Sequence, residues 1–432
     1  LLGEGYLLST ELRYTLDGID LQSMIVATYF LELDGGADII ARIRQVSSLI
    51  YPGAWTETSG EAQHGWEKHA ARILGIYETP PYEIQLQSGV PNRRFIFQIA
   101  VPLVDLGESL ASLLTFVGGE ILAYGNLKLL DLYLPESYTR RFHGPQFGVE
   151  GLRQLLNAPE RPLVLAILKP SQGYSPQEGA SIFFEAARGG VDIIKDEELL
   201  FDPAYCRRAE RVRLYMAAEK RAFEETGEHT LYAVNITDPA DRLIPNALEA
   251  IELGANALMV NYMQVGLDMA RTLCEDSRVS VPVLGHNSGA TSVFASTHTG
   301  MSAPLANGKI PRLCGMDMGI VLSGRGGFPA LPERVLLLVR ELLTPLHAIR
   351  PTLPVIANGI TPGLAHAVVR AYGRDVALGA GSAIFGHPQG PAAGARAFRQ
   401  AIQAVVDGRD VQAAAEEHRE LGEALRLWGS GE

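Results

Sequence analysis

"GGVDIIKDEELLFDP", residues 189–203, sets one lysine directly against three acids at the end of a stretch that otherwise reads as a buried strand. "VDIIKD" is apolar in both side-chain directions, as a strand covered on both sides must be, and such strands belong to parallel sheets. Seven further runs of the same kind surround it: "PLVLAIL", "TLYAVNI", "ALMVNYM", "VPVLGHN", "MGIVLSG", "LPVIANG" and "DVALGAG". Between them lie stretches such as "AYCRRAERVRLYMAAEKRAFEETG" and "PERVLLLVRELLTPL", whose apolar residues recur at three and four, the spacing of an amphipathic helix. Eight βα units in about 230 residues match the size of a (β/α)8 TIM barrel, whereas a doubly wound open sheet shares the local pattern; the count of eight favours closure.

Outward from the barrel, residues 1–140 read as an N-terminal α+β (ferredoxin-like) domain, with strands "MIVATYFLEL", "FIFQIAVPL" and "LLDLYLP" and a helix in "SLASLLTFVGGE". "PESYTRRFHGPQFG" is the linker, and residues 141–432 form the catalytic barrel, closed on its outside by helices in "GARAFRQAIQAVVDG" and "AAAEEHRELGEALRLW". The 432 residues carry a net charge of -12, which offers no electrostatic footprint for a phosphate backbone, so nucleic acid is not an expected partner. Cys206, Cys274 and Cys314 stand far apart with no CxxC pair, as reduced thiols do. No apolar run is long enough to span a bilayer, and "LLGEGYLLSTELRYTLDGID" lacks the pattern of an export signal. The expectation is a cytoplasmic protein without a membrane partner.

In a barrel of this kind the working residues lie at the carboxyl ends of the strands. Those ends read "LKPSQG" with Lys169, "KDEE" with Lys195, "VNITD" with Asn235, "VNYM" with Asn261, "GHNSG" with His286 and Asn287, "SGRGGF" with Arg325, "ANGI" with Asn358 and Gly359, and "GAGSAIFGHP" with Gly381 and Ser382. Lys195, Glu197 and Glu198 are therefore polar because they face a pocket. Two readings of them stand. An ammonium neutralised by adjacent acids is a structural ion pair. Alternatively, the neutral amine reacts with CO2, and the resulting carbamate joins the two glutamates as oxygen ligands for a hard divalent cation such as magnesium. Asp196 falls on the opposite side of the strand, where a structural salt bridge is its expected partner.

"GGVDIIKDEELL" resembles the metal-site signature of RuBisCO and the RuBisCO-like proteins. "ILKPSQGYSP", "GHNSGA", "LPVIANGI" and "GAGSAIFGHPQG" match in order, and "YPGAWTET" and "AYGNLKLLDLYLP" extend the likeness into the first domain. The resemblance implies a carbamylated Lys195 holding Mg2+ together with Glu197 and Glu198, Lys169 exchanging protons with the substrate, and His286 beside the enediolate. It implies backbone N–H groups of Gly381 and Ser382 on a phosphate, with Asn287, Arg325, Asn358 and Gly359 lining the substrate. Trp55 and Asn126 match residues lent by a neighbouring subunit, so a homodimer with a shared active site is implied.

The departures from that pattern matter equally. Glu197 stands where the family carries aspartate, Ser171 replaces a second lysine, and Asn287 replaces an arginine that grips a second phosphate. Arg325 is the candidate substitute for a loop lysine. These changes imply a RuBisCO-like protein acting on a small, singly phosphorylated substrate rather than a carboxylating RuBisCO. Enolisation, isomerisation and decarboxylation share the enolate intermediate. The family's methionine-salvage enolases, which act on 2,3-diketo-5-methylthiopentyl-1-phosphate, take their base from the strand that reads here "FQIAVP", and that position is Gln98, an amide. The leading expectation is thus a decarboxylase or transcarboxylase acting on a compound such as 3-oxo-isoapionate-4-phosphate, followed by the enolase and then by a non-catalytic barrel. His387 reads as a turn residue, and His298 as a loop residue either over the barrel mouth or simply solvated.

Overall fold

The computed structural model describes residues 19–48, 66–69 and 71–431. They divide into two compact units, one comprising the described residues up to Arg141 with Ala290–Ala306, the other Phe142–Gly289 with Asn307 onward.

Four antiparallel strands begin the first unit: β1 (Met24–Asp34), β2 (Arg72–Glu78), β3 (Asn92–Pro102) and β4 (Asn126–Tyr133). They lie side by side as β4-β1-β3-β2, the order of a split βαβ, ferredoxin-like sheet. Alternation buries Tyr29 and Phe97 on one face, their rings stacked 5.2 Å apart, and the Tyr29 hydroxyl donates to the Val117 carbonyl of helix Leu110–Gly118. Ser109 caps that helix by accepting from the Ser112 N–H. β2 was not anticipated from the sequence, because a bulge between Ile73 and Gly75 breaks the period-two alternation that would have announced it.

The second unit is a barrel of β5 (Leu163–Ile167), β6 (Ile193–Lys195), β7 (Leu231–Asn235), β8 (Ala257–Asn261) and β9 (Val283–His286), completed by three later strands. After β9 the chain supplies β10 (Gly300–Met301), which pairs parallel with β4 and makes the first sheet mixed. The barrel then resumes with β11 (Met318–Leu322), β12 (Leu353–Ala357) and β13 (Ala377–Ala380). Closure runs β5 to β9, then β11 to β13 and back to β5, every pairing parallel. All eight runs read from the sequence are barrel strands.

Leu163, Leu165, Ile193, Ala233, Met259, Leu284, Ile320 and Val355 share one buried cluster inside the barrel. Val149 and Leu152 of helix Gly148–Leu155 join it and stop the end where the strands begin. Ile193 faces inward, so Lys195, two residues on, lies on the same face at the opposite end of the strand. The stretch "AAAEEHRELGEALRLW" is two helices, Val411–Glu417 and Arg419–Trp428, not one. His418 between them is extended, and the freed Leu421 N–H donates to the Gln400 side chain, a long-range partner that no local pattern reveals.

Candidate active site

Lys195 ends β6 and is fully buried. Its Nζ donates to the Asp196 carbonyl at 2.8 Å and lies 3.0 Å from Glu198 Oε2. That same oxygen is 3.3 Å from His286 Nε2 at the end of β9. The His286 Nδ1 accepts from the Ser288 N–H, so the ring proton sits on Nε2 and points at Glu198. Burial first, and then the Lys195 charge, push the His286 ring towards its neutral form, against the pull of Glu198. Burial also opposes ionisation of Glu198, but the His286 hydrogen bond and the Lys195 charge outweigh it and hold the carboxyl well below the usual range.

Lys169, just after β5, reaches the same cluster. Its Nζ donates to Ser171 Oγ at 2.9 Å and to Glu197 Oε1 at 3.2 Å. The other Glu197 oxygen, Oε2, is buried with no hydrogen-bond partner, as is Asn261 Oδ1. An unsatisfied buried carboxylate oxygen is costly, and native sites keep one where something binds. Two neighbouring carboxylates beside a lysine fit a hard cation if the lysine contributes oxygen; among the described residues no cluster of three or more His, Cys, Asp or Glu offers an alternative set.

The other residues singled out from the sequence fall into separate places. Gly381 stands against Lys169: a Cβ there would come within 3.1 Å of Lys169 Cε, so the missing side chain makes room for the lysine stem. Ser382, exposed, opens the four-residue helix Ser382–Phe385. Asn287 donates to the Ile320 carbonyl of β11. Asn358 and Gly359 both have φ of 75°, and Asn358 Nδ2 donates to the Phe328 carbonyl. The exposed Arg325 lies in that same loop, its N–H on Ser323 Oγ. Asn126 is exposed at the start of β4 in the first unit, and Trp55 lies outside the described residues. Gln98 of β3 donates to Thr28 Oγ1 across the sheet. His298 also belongs to the first unit, with Nε2 3.4 Å from Glu32 Oε1, while His387 is buried with Nε2 on the Glu420 carbonyl and Nδ1 accepting from the Gln389 N–H. Asn235 and Asn261 both donate to the Glu198 carbonyl.

Behind the site, Asp196 meets Arg211 at 2.9 Å, both side chains inaccessible. Arg211 was not singled out from the sequence, although a signal existed. It lies on the buried face of helix Arg208–Thr226 beside Val212, Tyr215, Ala218 and Ala222, where a charge demands a buried partner.

The model of the ribulose bisphosphate carboxylase large chain catalytic domain matches residues 148–324 and 342–428. A ribulose bisphosphate carboxylase-like protein of Archaeoglobus fulgidus is 41% identical over 415 residues, 95% of each chain. The chain belongs to the RuBisCO large-chain family, as a RuBisCO-like protein. Within it, the 2,3-diketo-5-methylthiopentyl-1-phosphate enolase of Geobacillus kaustophilus is 35% identical over 94% of this chain and 98% of its own. A RuBisCO-like protein (MtnW) of Alicyclobacillus acidocaldarius superposes with a TM-score of 0.87 at 35% identity, over 94% of this chain and all of its own. The dimeric RuBisCO of Hyperthermus butylicus gives 0.83 at 27% identity, over 95% and 96%. RuBisCO homologues of known structure thus include dimers, and no helix among the described residues is long and apolar enough to cross a membrane.

Proposed function

We propose that this RuBisCO-family enzyme uses Mg2+ to form an enolate on a small, singly phosphorylated keto substrate, with loss or transfer of a carboxyl group as the outcome. The buried Glu197 Oε2, which has no hydrogen-bond partner, carries the reading, since it offers a cation a carboxylate oxygen with no competing donor. Lys195, Glu197 and Glu198 would hold the metal, the lysine amine having taken up CO2 to give a carbamate with release of one proton. When bound, magnesium supplies the positive charge that favours an enolate over its keto form.

The chain's own groups do the rest. His286, whose Nδ1 accepts from the Ser288 N–H, presents its Nε2–H on the Glu198 side, as a donor for an oxygen that gains charge. Lys169, held by Ser171 and Glu197, is the mobile proton carrier at the mouth. Asn287, a neutral amide bonded to β11, brings no charge for a second phosphate. A second subunit contributing Trp55 and Asn126 belongs to this proposal, supported by the dimeric relative.

Carboxyl loss is ranked first because Gln98 is an amide hydrogen-bonded to Thr28 and has no base strength, while decarboxylation needs no base there. The second reading, tautomerisation of 2,3-diketo-5-methylthiopentyl-1-phosphate, is favoured by the 35% identity to the Geobacillus enolase. Phosphorus and carbon NMR on protein incubated with bicarbonate and magnesium tests both. Release or transfer of a carboxyl carbon from 3-oxo-isoapionate-4-phosphate supports the first reading, tautomerised diketone replaces it with the second, and inertness towards both overturns the pair.

A further inference from the structure

The residue that follows β6, Asp196, is tied down on both of its carboxylate oxygens. Asp196 Oδ2 accepts from Arg211 Nε at 3.2 Å, from Arg211 Nη2 at 2.9 Å and from the Asn235 N–H of β7 at 3.0 Å. Oδ1 accepts from the Tyr232 hydroxyl at 2.8 Å. The guanidinium also reaches forward: Nη2 donates to the Phe201 carbonyl and Nη1 to the Cys206 carbonyl, both on the segment that follows Glu198. One planar fork therefore joins the end of β6, strand β7 and the chain beyond Glu198. A buried pair is weak evidence for stability in itself, because desolvation offsets its attraction. Its value lies in fixing geometry. Asp196 stands between Lys195 and Glu197 in the chain, just past the end of β6, so its hydrogen bonds restrict the stretch of backbone from which both neighbouring side chains project.

We infer that Arg211 is a positioning residue: through Asp196 it sets the directions of Lys195, Glu197 and Glu198, and so the affinity of that trio for a divalent cation. The inference rests on the metal reading of those residues given above. Arg211 touches none of the three side chains among its hydrogen bonds. It works through Asp196 from one side, as Asn235 and Asn261 do through the Glu198 carbonyl from the other. Groups that orient ligands in this way alter metal affinity by about 10- to 100-fold when removed. Lysine at position 211 keeps the charge but loses the fork, and is not a conservative change.

The test is Mn2+ binding by the full chain in bicarbonate, followed by the electron paramagnetic resonance signal of free Mn2+, with folding monitored by circular dichroism. Arg211→Lys is expected to raise the Mn2+ Kd by about tenfold, and Tyr232→Phe, which removes a single donor to Asp196, by about threefold. Arg312 supplies the control, being equally buried but bonded only to main-chain carbonyls. Arg312→Lys is expected to lower the melting temperature and leave the Kd unchanged. A folded Arg211→Lys with wild-type affinity overturns the inference, as does an equal loss in Arg312→Lys, which would make the effect one of general stability. Should Arg211→Lys not fold, Tyr232→Phe decides by the same criterion. Wild-type protein without bicarbonate-dependent Mn2+ binding overturns the metal reading itself, and the inference falls with it.

Discussion

Two sets of charged groups, one at each end of the barrel, are satisfied in opposite ways. At the end where strands begin, Asp317 accepts from the N–H groups of Phe147, Gly148 and Val283, and Arg312 donates to the carbonyls of Glu341, Thr344, Ile349 and Arg350. Each of these two charges is met by backbone groups that it serves to cap or join. At the other end Asp196 and Arg211 are likewise satisfied, but the Lys195 amine and the Glu198 carboxylate meet one another, His286 and the Asp196 carbonyl, while Glu197 Oε2 and Asn261 Oδ1 have no hydrogen-bond partner. The same kinds of group are closed off by the backbone in the first set and leave oxygens open in the second. The difference lies in whether backbone polar groups have been brought to them.

The contrast breaks most sharply at Lys195. Lys195→Ala is expected to lose bicarbonate-dependent metal binding and all metal-dependent turnover while melting within about 4 °C of the wild type; an active variant would end the proposed role of this residue. Arg312→Met should do the reverse, destabilising by on the order of 4 kcal/mol in urea titrations as four carbonyls lose their donor, with metal affinity retained.

Asp317 sharpens the comparison through pH. Burial pushes this carboxyl up to about 6 from an ordinary 3.8, against the pull of its three N–H donors. A folded-state pKa above the unfolded one means that, between about pH 4 and 6, the folded protein binds more protons, so this group's contribution falls as pH rises through that window. Relative to Asp317→Asn, the wild type should lose up to about 3 kcal/mol from pH 4 to 7. Parallel pH–stability curves for the two proteins would contradict it. The smallest effect is expected at Ser171→Ala, which removes one hydrogen bond from Lys169: about 1 kcal/mol, or roughly fivefold in turnover, with an unchanged melting temperature.

How much of this was legible in the sequence varies by element. The eight barrel strands announced themselves because a strand covered on both faces must be apolar throughout, and helical spacing between them leaves few alternatives. β2 was hidden by its bulge, and the break at His418 depends on Gln400, a residue from another helix. Lys195, Glu197 and Glu198 were legible as a cluster, and Lys169 and His286 as strand-end residues. The bias of His286 towards its neutral form, the seat that Gly381 leaves for Lys169, and the Arg211 fork behind Asp196 were not.

By itself, then, the sequence determined the barrel and the identity of the groups gathered at its mouth, because hydrophobic periodicity and residue type are local properties. Only the tertiary structure decided which oxygens are satisfied and which are left open. That depends on distances between segments far apart in the chain: 91 positions separate Lys195 from His286, yet both meet the same oxygen of Glu198.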